Sequence, residues 1–218
     1  MVTIQILNGM DIMHNLEETF TEIYEKNLWQ SAESVSGLGS EMEYTKSVSK
    51  ELPVLLQKYG IESILDIPCG DWNWMKNVDL CGASYIGADI VKPLIEENKS
   101  KYPNVDFRVL DITNDDLPKV DLVFVRDCLG HLTNENVHKA LDNIKRSGSK
   151  YLLATSFTRW ITNTDIKDGG WKCINLLVEP FVLKPIYLIN EEFEVGYPHY
   201  NDKCMILFPI NPQLQNTI

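Results

Sequence analysis

At 218 residues the chain is sized for one domain with a full hydrophobic core and a small appendage. A composition of 44% hydrophobic and 23% charged residues is that of a water-soluble globular protein. The formal net charge of -11 argues against a nucleic-acid partner, because phosphate backbones require clustered Lys and Arg, and the one compact basic group is Lys145, Arg146 and Lys150.

The opening run Met1 to Leu7 has no basic region and is soon followed by Asn8 and Asp11, so it is a poor secretory leader. Ile12, Leu16, Phe20, Ile23 and Tyr24 recur at helical intervals and predict an amphipathic helix over residues 11 to 30. Ser34 to Ser40 is small and glycine-containing, which marks a loop, and Met42 to Tyr59 reads as a second helix ending near Gly60. Residues 1–44 are therefore expected to form a helical cap, or lid, and residues 45–218 the main domain. Strands are predicted at Ile64 to Ile67, Tyr85 to Ala88, Phe107 to Leu110, Asp121 to Val125 and Tyr151 to Ser156. Helices at Val91 to Lys101 and Asn134 to Arg146 alternate with them. This alternation predicts an α/β fold, a mostly parallel sheet with helices on both faces. Residues 158–185, rich in Thr, Asn, Asp, Gly and Trp, read as one long loop, and loops above about 12–15 residues in compact domains are often functional. Ile186 to Ile189, Phe193 to Val195 and Cys204 to Phe208 are candidate closing strands. No run approaches the roughly 18 apolar residues of a membrane span. The five cysteines, dispersed without a C-x-x-C pair, fit reduced thiols in a cytoplasmic compartment better than a disulfide framework or a zinc site.

The apolar run Ser63 to Ile67 carries Asp66 at its end and turns through Pro68, Cys69, Gly70, Asp71 and Trp72. A buried strand that delivers its C-terminal end to a nucleotide-like ligand reads this way. Asp89, closing Tyr85 to Ala88, follows about twenty residues later, the interval at which an acid grips ribose hydroxyls in dinucleotide-type sheets. Two strand ends with an acid each predict a bound nucleoside. After the fourth strand comes Arg126-Asp127-Cys128-Leu129-Gly130-His131-Leu132. Asp127 and His131 lie one helical turn apart, and a carboxylate beside an imidazole makes a candidate general base. The blander alternative packs His131 behind the sheet and pairs Asp127 with Arg126 or sets it as a cap of the following helix. In the long loop, Asn163, Asp165, Trp171 and Asn175 offer the amides, carboxylates and aromatic face that carbohydrate sites favour. A divalent metal held by Asp127, His131 and Asp165 is the less favoured possibility, because two ligands at helical spacing lack a firm third. No metal is expected.

The strings Asp66-Ile67-Pro68-Cys69-Gly70-Asp71-Trp72-Asn73-Trp74, Tyr85 to Ile90, Arg126 to Leu132 and Asn143 to Gly148 together resemble class I S-adenosylmethionine-dependent methyltransferases, over residues 40 to 210. The chain looks most like a narrow branch of bacterial and viral members that includes algal-virus enzymes O-methylating rhamnose on capsid glycans. The resemblance implies a Rossmann-like sheet that closes with an antiparallel strand, for which Cys204 to Phe208 is the candidate. It implies S-adenosylmethionine as cofactor, with Asp66 at the methionine ammonium and Cys69 and Gly70 as backbone passing close to the ligand. Asp89 and Ile90 would sit at the ribose, Asp111 and Ile112 at the adenine, with Arg126 beside the ligand after the fourth strand. The family's acid-x-Gly-x-Gly-x-Gly run is reduced here to a single glycine. Pro68 cannot donate an N–H, and Trp72 and Trp74 are expected to wall the pocket instead. That departure counts against a dinucleotide dehydrogenase, which needs the glycine-rich turn. The implied reaction is methyl transfer to a sugar hydroxyl of a glycan. The alternatives are a small metabolite or protein side chain as acceptor, or a non-catalytic cofactor-binding module. The expected partner is a small-molecule or glycan acceptor, and the oligomeric state is open.

Overall fold

In the computed structural model, which describes residues 15–191 and 201–211, helices α1 (Leu16–Glu25) and α2 (Lys46–Tyr59) precede the sheet. Strands β1 (Ser63–Asp66) and β2 (Ser84–Asp89) are followed by helix α3 (Lys92–Lys101), then β3 (Asp106–Val109) and β4 (Leu122–Val125). Helix α4 (Asn134–Arg146) leads into β5 (Tyr151–Phe157), β6 (Tyr187–Asn190) and β7 (Lys203–Pro209). The sheet order is β3-β2-β1-β4-β5-β7-β6. β1 to β5 pair in parallel, and β7 runs antiparallel to both β5 and β6. The expected antiparallel strand is therefore present, with Cys204 to Phe208 inside it.

The central strands are continuous apolar runs because both faces of the sheet are covered. Leu65, Val123, Val125, Leu152, Ile206 and Phe208 pack on the side of Val137, Ala140, Leu141 and Ile144 of α4. Their neighbours Ile64, Leu122, Phe124, Leu153, Met205 and Leu207 pack on the side of Val48, Leu52, Leu55 and Leu56 of α2. The strands thus alternate with a period of two, while each helix presents one stripe.

Two helix boundaries differ from the sequence reading. α1 opens on a reciprocal cap, with Asn15 Oδ1 accepting from Glu18 N at 2.8 Å and Glu18 Oε2 accepting from Asn15 N at 3.2 Å. It stops at Glu25, short of residue 30, because Asn27 and Gln30 take left-handed backbone at φ 44° and 56°. α2 begins at Lys46, later than Met42, since Thr45 Oγ1 donates to the Glu41 and Met42 carbonyls and holds that stretch in turns. It ends at Gly60, φ 59°, as expected of a left-handed cap.

The segment between β5 and β6 carries no strand or helix; residues 158–165 are mostly exposed, but its later part enters the core. Ile174, Leu176 and Phe181 are buried in the α4-side core. The expected strand Phe193 to Val195 lies outside the described residues, as do His14 and His199. No helix among the described residues is long and apolar enough to cross a membrane. β1 pairs with β2 on one side and β4 on the other. A parallel sheet that reverses its strand order this way opens a crevice at the C-terminal ends of those strands.

Candidate active site

A cavity of about 490 Å³ lies at that crevice, within the usual range of about 300–1,000 Å³ for small-molecule sites. Its first wall is the turn after β1, Asp66 to Gly70. Asp89 and Ile90 from the end of β2, and Asp111 and Ile112 just after β3, complete that half. Asp66 is almost wholly buried, and burial pushes its carboxyl up to about 7 despite a 2.6 Å hydrogen bond donated by the Tyr85 hydroxyl. Asp89 accepts from the backbone N–H groups of Gly70 (3.2 Å) and Val91 (3.0 Å), yet burial still raises it to about 6. Asp111 Oδ1 accepts from the Thr113 amide and hydroxyl at 2.8 and 2.7 Å.

Gly70 is required by close approach as well as by its φ of 55°. A Cβ there would lie 2.1 Å from Ser36 Oγ, in the loop that roofs the cavity. That loop is tied down by Asp71, whose carboxylate accepts from the Ser34 hydroxyl (2.9 Å), the Val35 amide (3.1 Å) and the Ser36 hydroxyl (3.2 Å). Leu16, Phe20 and Tyr24 of α1 add to the same roof. Three carboxylates thus end adjacent strands at one cavity, and two of them are held away from water. Such a set of acceptors suits a ligand that brings a cation and hydroxyl or amine donors.

The other half is built around Asp127 and His131. Asp127 sits in left-handed backbone, φ 51°, with its amide donating to Thr155 Oγ1 at 2.9 Å. Its Oδ2 is 2.6 Å from Lys203 Nζ and 3.3 Å from Arg126 Nη1. Burial alone would raise the Asp127 carboxyl, but these two cations, Lys203 foremost, hold it at about 2. His131 lies between Trp29 and Trp171, ring centroids 5.1 and 4.8 Å away. Its Nδ1 is 2.5 Å from the Gly170 carbonyl. A carbonyl only accepts, so Nδ1 carries the hydrogen and Nε2 keeps its lone pair. Burial holds the imidazole below its ordinary value even though Gly170 and Asp127 oppose that shift.

The structure brings together Asp66, Pro68, Cys69, Gly70, Trp74, Asp89, Ile90, Asp111, Ile112, Arg126, Asp127, His131 and Trp171 around this cavity. It separates the others. Trp72 does not line the cavity: its ring packs on Tyr85, Tyr102 and Phe107 beneath β2 and β3. Asn163 and Asn175 brace the long segment, with Asn163 Nδ2 donating to the Asn175 and Glu179 carbonyls and Asn175 Nδ2 to that of Trp160. Asp165 accepts from the Asn134 amide at 2.7 Å and so caps α4. It is therefore not brought to Asp127 and His131, and no three His, Cys, Asp or Glu side chains converge as metal ligands among the described residues. Asp127 does not orient His131 by a hydrogen bond, as its spacing had suggested. The Gly170 carbonyl takes that part, because the chain at 129–131 is a single 3-10 turn and Asp127 turns toward Lys203.

Arg126 lines the cavity with its charge already engaged. It pairs with Glu191 at 2.6 Å and donates to the Gly39 carbonyl at 2.6 Å and the Tyr44 carbonyl at 3.4 Å. Lys203, Glu191 and Trp29 escaped the sequence reading. Lys203 reaches the site because β7 pairs antiparallel with β5, setting it opposite Phe157, and no local pattern announces that.

A family model described as a methyltransferase domain matches residues 64–149. Protein 235L of Invertebrate iridescent virus 6, whose name proposes a methyltransferase, is 32% identical over 148 residues, 64% of this chain and 56% of that protein. The chain thus spans little more than half of that relative's length. Among solved structures, the N-methyltransferase NodS of Bradyrhizobium japonicum, in complex with S-adenosyl-L-homocysteine, superposes with a TM-score of 0.64 at 14% identity, over 89% of this chain and 99% of that one. Human N-acetylserotonin methyltransferase in complex with S-adenosylmethionine gives 0.62 at 13% identity, over 90% of this chain and 60% of that one. These structural likenesses are of fold. Residues 64–149 thus match a methyltransferase-domain model, and the chain has the Rossmann-like fold of the class I methyltransferases.

Proposed function

We propose that the chain is an S-adenosylmethionine-dependent O-methyltransferase. The observation that carries this reading is the single cavity whose one half is walled by Asp66, Asp89 and Asp111 and whose other half holds a neutral, singly oriented His131. S-adenosylmethionine, when bound, supplies an electrophilic methyl group on a sulfonium. Asp66 would hold its ammonium, Asp89 the ribose diol, and Asp111 with Ile112 the adenine edge. His131 Nε2 takes the proton of the acceptor hydroxyl, a contribution of about 10²–10⁴-fold in rate. Asp127, a fixed anion nearby, raises the affinity of the imidazole for that proton. The aromatic walls exclude water and position the acceptor.

We read the acceptor as a sugar hydroxyl of a glycan, with a deoxy sugar such as rhamnose foremost. Trp29, Trp171 and Phe157 line the acceptor half and offer flat faces to a sugar's C–H side. A second reading, a small aromatic hydroxyl compound, is favoured by the engagement of Asn163, Asp165 and Asn175 in bracing the chain, which leaves this half mainly aromatic. Incubation with methyl-labelled S-adenosylmethionine and a panel of methyl glycosides, phenols and peptides separates the two. A labelled methyl ether on a rhamnoside is expected. Label on phenols alone replaces the sugar with the second acceptor, and label on none of them contradicts the proposal.

A further inference from the structure

Asp66 takes a hydrogen bond from one protein donor, the Tyr85 hydroxyl, which gives its proton to Oδ2 at 2.6 Å. Oδ1 has no protein donor among the described residues, and Asp66 lines the cavity. Tyr85 stands on β2, two residues below Gly87, which pairs with Asp66 across the parallel ladder. Its ring is packed at 5.9 Å from that of Trp72. The Trp72 indole N–H is buried without a hydrogen-bond acceptor among the described residues. Trp72 in turn is wedged against Tyr102 and Phe107, and the φ of 56° at Trp72 turns the chain so that the indole enters this cluster. The residue that replaces a family glycine therefore stands behind the cavity wall, next to the tyrosine that contacts the wall's first acid.

We infer that Tyr85 is a positioning residue for the donor half of the cavity: its hydroxyl orients Asp66 and favours its anionic form, with one oxygen held by the protein and the other left for a cationic group of the ligand, such as an ammonium. The inference rests on the donor-binding reading above and assigns a role to a residue outside the cavity lining. A carboxylate among apolar side chains tends to take up a proton, and a short O–H donor is a direct way to keep it ionised without placing a competing cation in the site. The charged and titratable groups that face Asp66 are Tyr85 and Asp89 from β2, Cys69 from the turn after β1 and Arg126 after β4. Asp89 opposes ionisation of Asp66, while Tyr85 and Arg126 favour it. Arg126 already serves Glu191 and the roof carbonyls, so the hydroxyl is the donor directed at Asp66.

The test is titration calorimetry of S-adenosylhomocysteine binding to the parent, Tyr85→Phe, Asp66→Asn and the double variant between about pH 6 and pH 8.5. Phenylalanine keeps the ring that packs on Trp72 and removes the one proton in question. Tyr85→Phe is expected to weaken binding by about 10-fold at pH 7, with the deficit shrinking as pH rises and Asp66 ionises unaided. In the Asp66→Asn background the tyrosine change is expected to cost nothing more, since it acts through the carboxylate. Parental affinity for Tyr85→Phe at every pH overturns the inference. So does a loss that is the same at all pH values and persists in the Asp66→Asn background, which is the pattern of plain packing damage. A parent that binds no S-adenosylhomocysteine at any pH overturns the donor-site reading itself, and this inference falls with it.

Discussion

The imidazole of His131 donates from Nδ1 to the Gly170 carbonyl, and Trp29 and Trp171 shield it on two sides. That leaves one basic nitrogen in a setting that disfavours the imidazolium. His131→Ala is expected to lower kcat by about 10²–10⁴-fold and to leave S-adenosylhomocysteine affinity near the parental value, since the proton acceptor acts on the chemical step. In the parent, kcat should rise through an acidic limb centred below the ordinary imidazole value, because burial lowers His131 and the base works in its neutral form. Near-parental turnover in His131→Ala places the base elsewhere, and activity abolished by a chelator and restored by a divalent ion points to a metal site. Rate measurements over pH, with and without chelator, decide this. The two residues of this pair were legible in the sequence as polar groups just past a strand end. Their relation was not. The spacing suggested a shared helical face, whereas a left-handed Asp127 and a single 3-10 turn send the carboxylate to Lys203, 76 positions away in sequence.

Helix α1 and the segment 34–40 roof the cavity before the chain enters its first strand. Their anchors include Tyr24 to Glu97 of α3 at 2.8 Å, Asp71 to the loop at Ser34 to Ser36, Asn73 to the Ser40 carbonyl at 3.2 Å, and Arg126 to the Gly39 and Tyr44 carbonyls. We propose that this region, read in the sequence as a cap over residues 1–44, opens to admit ligand and closes around it. Amide exchange over residues 34–40 is expected to slow when S-adenosylhomocysteine is added, and unchanged exchange at saturating ligand removes the cap idea. The need for such a roof was visible in the apolar face of α1, which requires a surface to rest on. Its anchors were invisible, because Asp71, Glu97 and Arg126 come from distant turns and helices. The strands could be read from their apolar runs. The segment 158–185 was legible as a loop, but the burial of Ile174, Leu176 and Phe181 within it was not, since chain held by Asn163, Asn175 and Asp165 has no period to detect.

At the scale of the whole molecule, the parallel sheet delivers two buried carboxyls to the end of adjacent strands. Asp66 and Asp89 are raised from 3.8 to about 7 and about 6. The folded protein therefore binds more protons than the unfolded chain over that interval. Their contribution to stability is greatest below the unfolded value and is lost as pH rises toward 7. Asp127 works in the opposite sense: lowered from 3.8 to about 2, it stabilises the fold above its unfolded value and ceases to do so in stronger acid. On the proposed assignment, the electrostatic cost that the ligand-free protein carries at neutral pH would be relieved by a cationic, hydroxyl-bearing donor. Thermal unfolding of the parent between about pH 5 and pH 8, with and without saturating S-adenosylhomocysteine, is the most direct test that this cavity holds the methyl donor. The ligand-free midpoint is expected to fall as pH rises. A fixed ligand concentration of about 100 times the Kd at pH 8 should raise it by about 5–10 °C at pH 8, and by less at pH 5, where the acids are still partly protonated and the affinity is lower. A midpoint that S-adenosylhomocysteine leaves unmoved across this range contradicts the assignment.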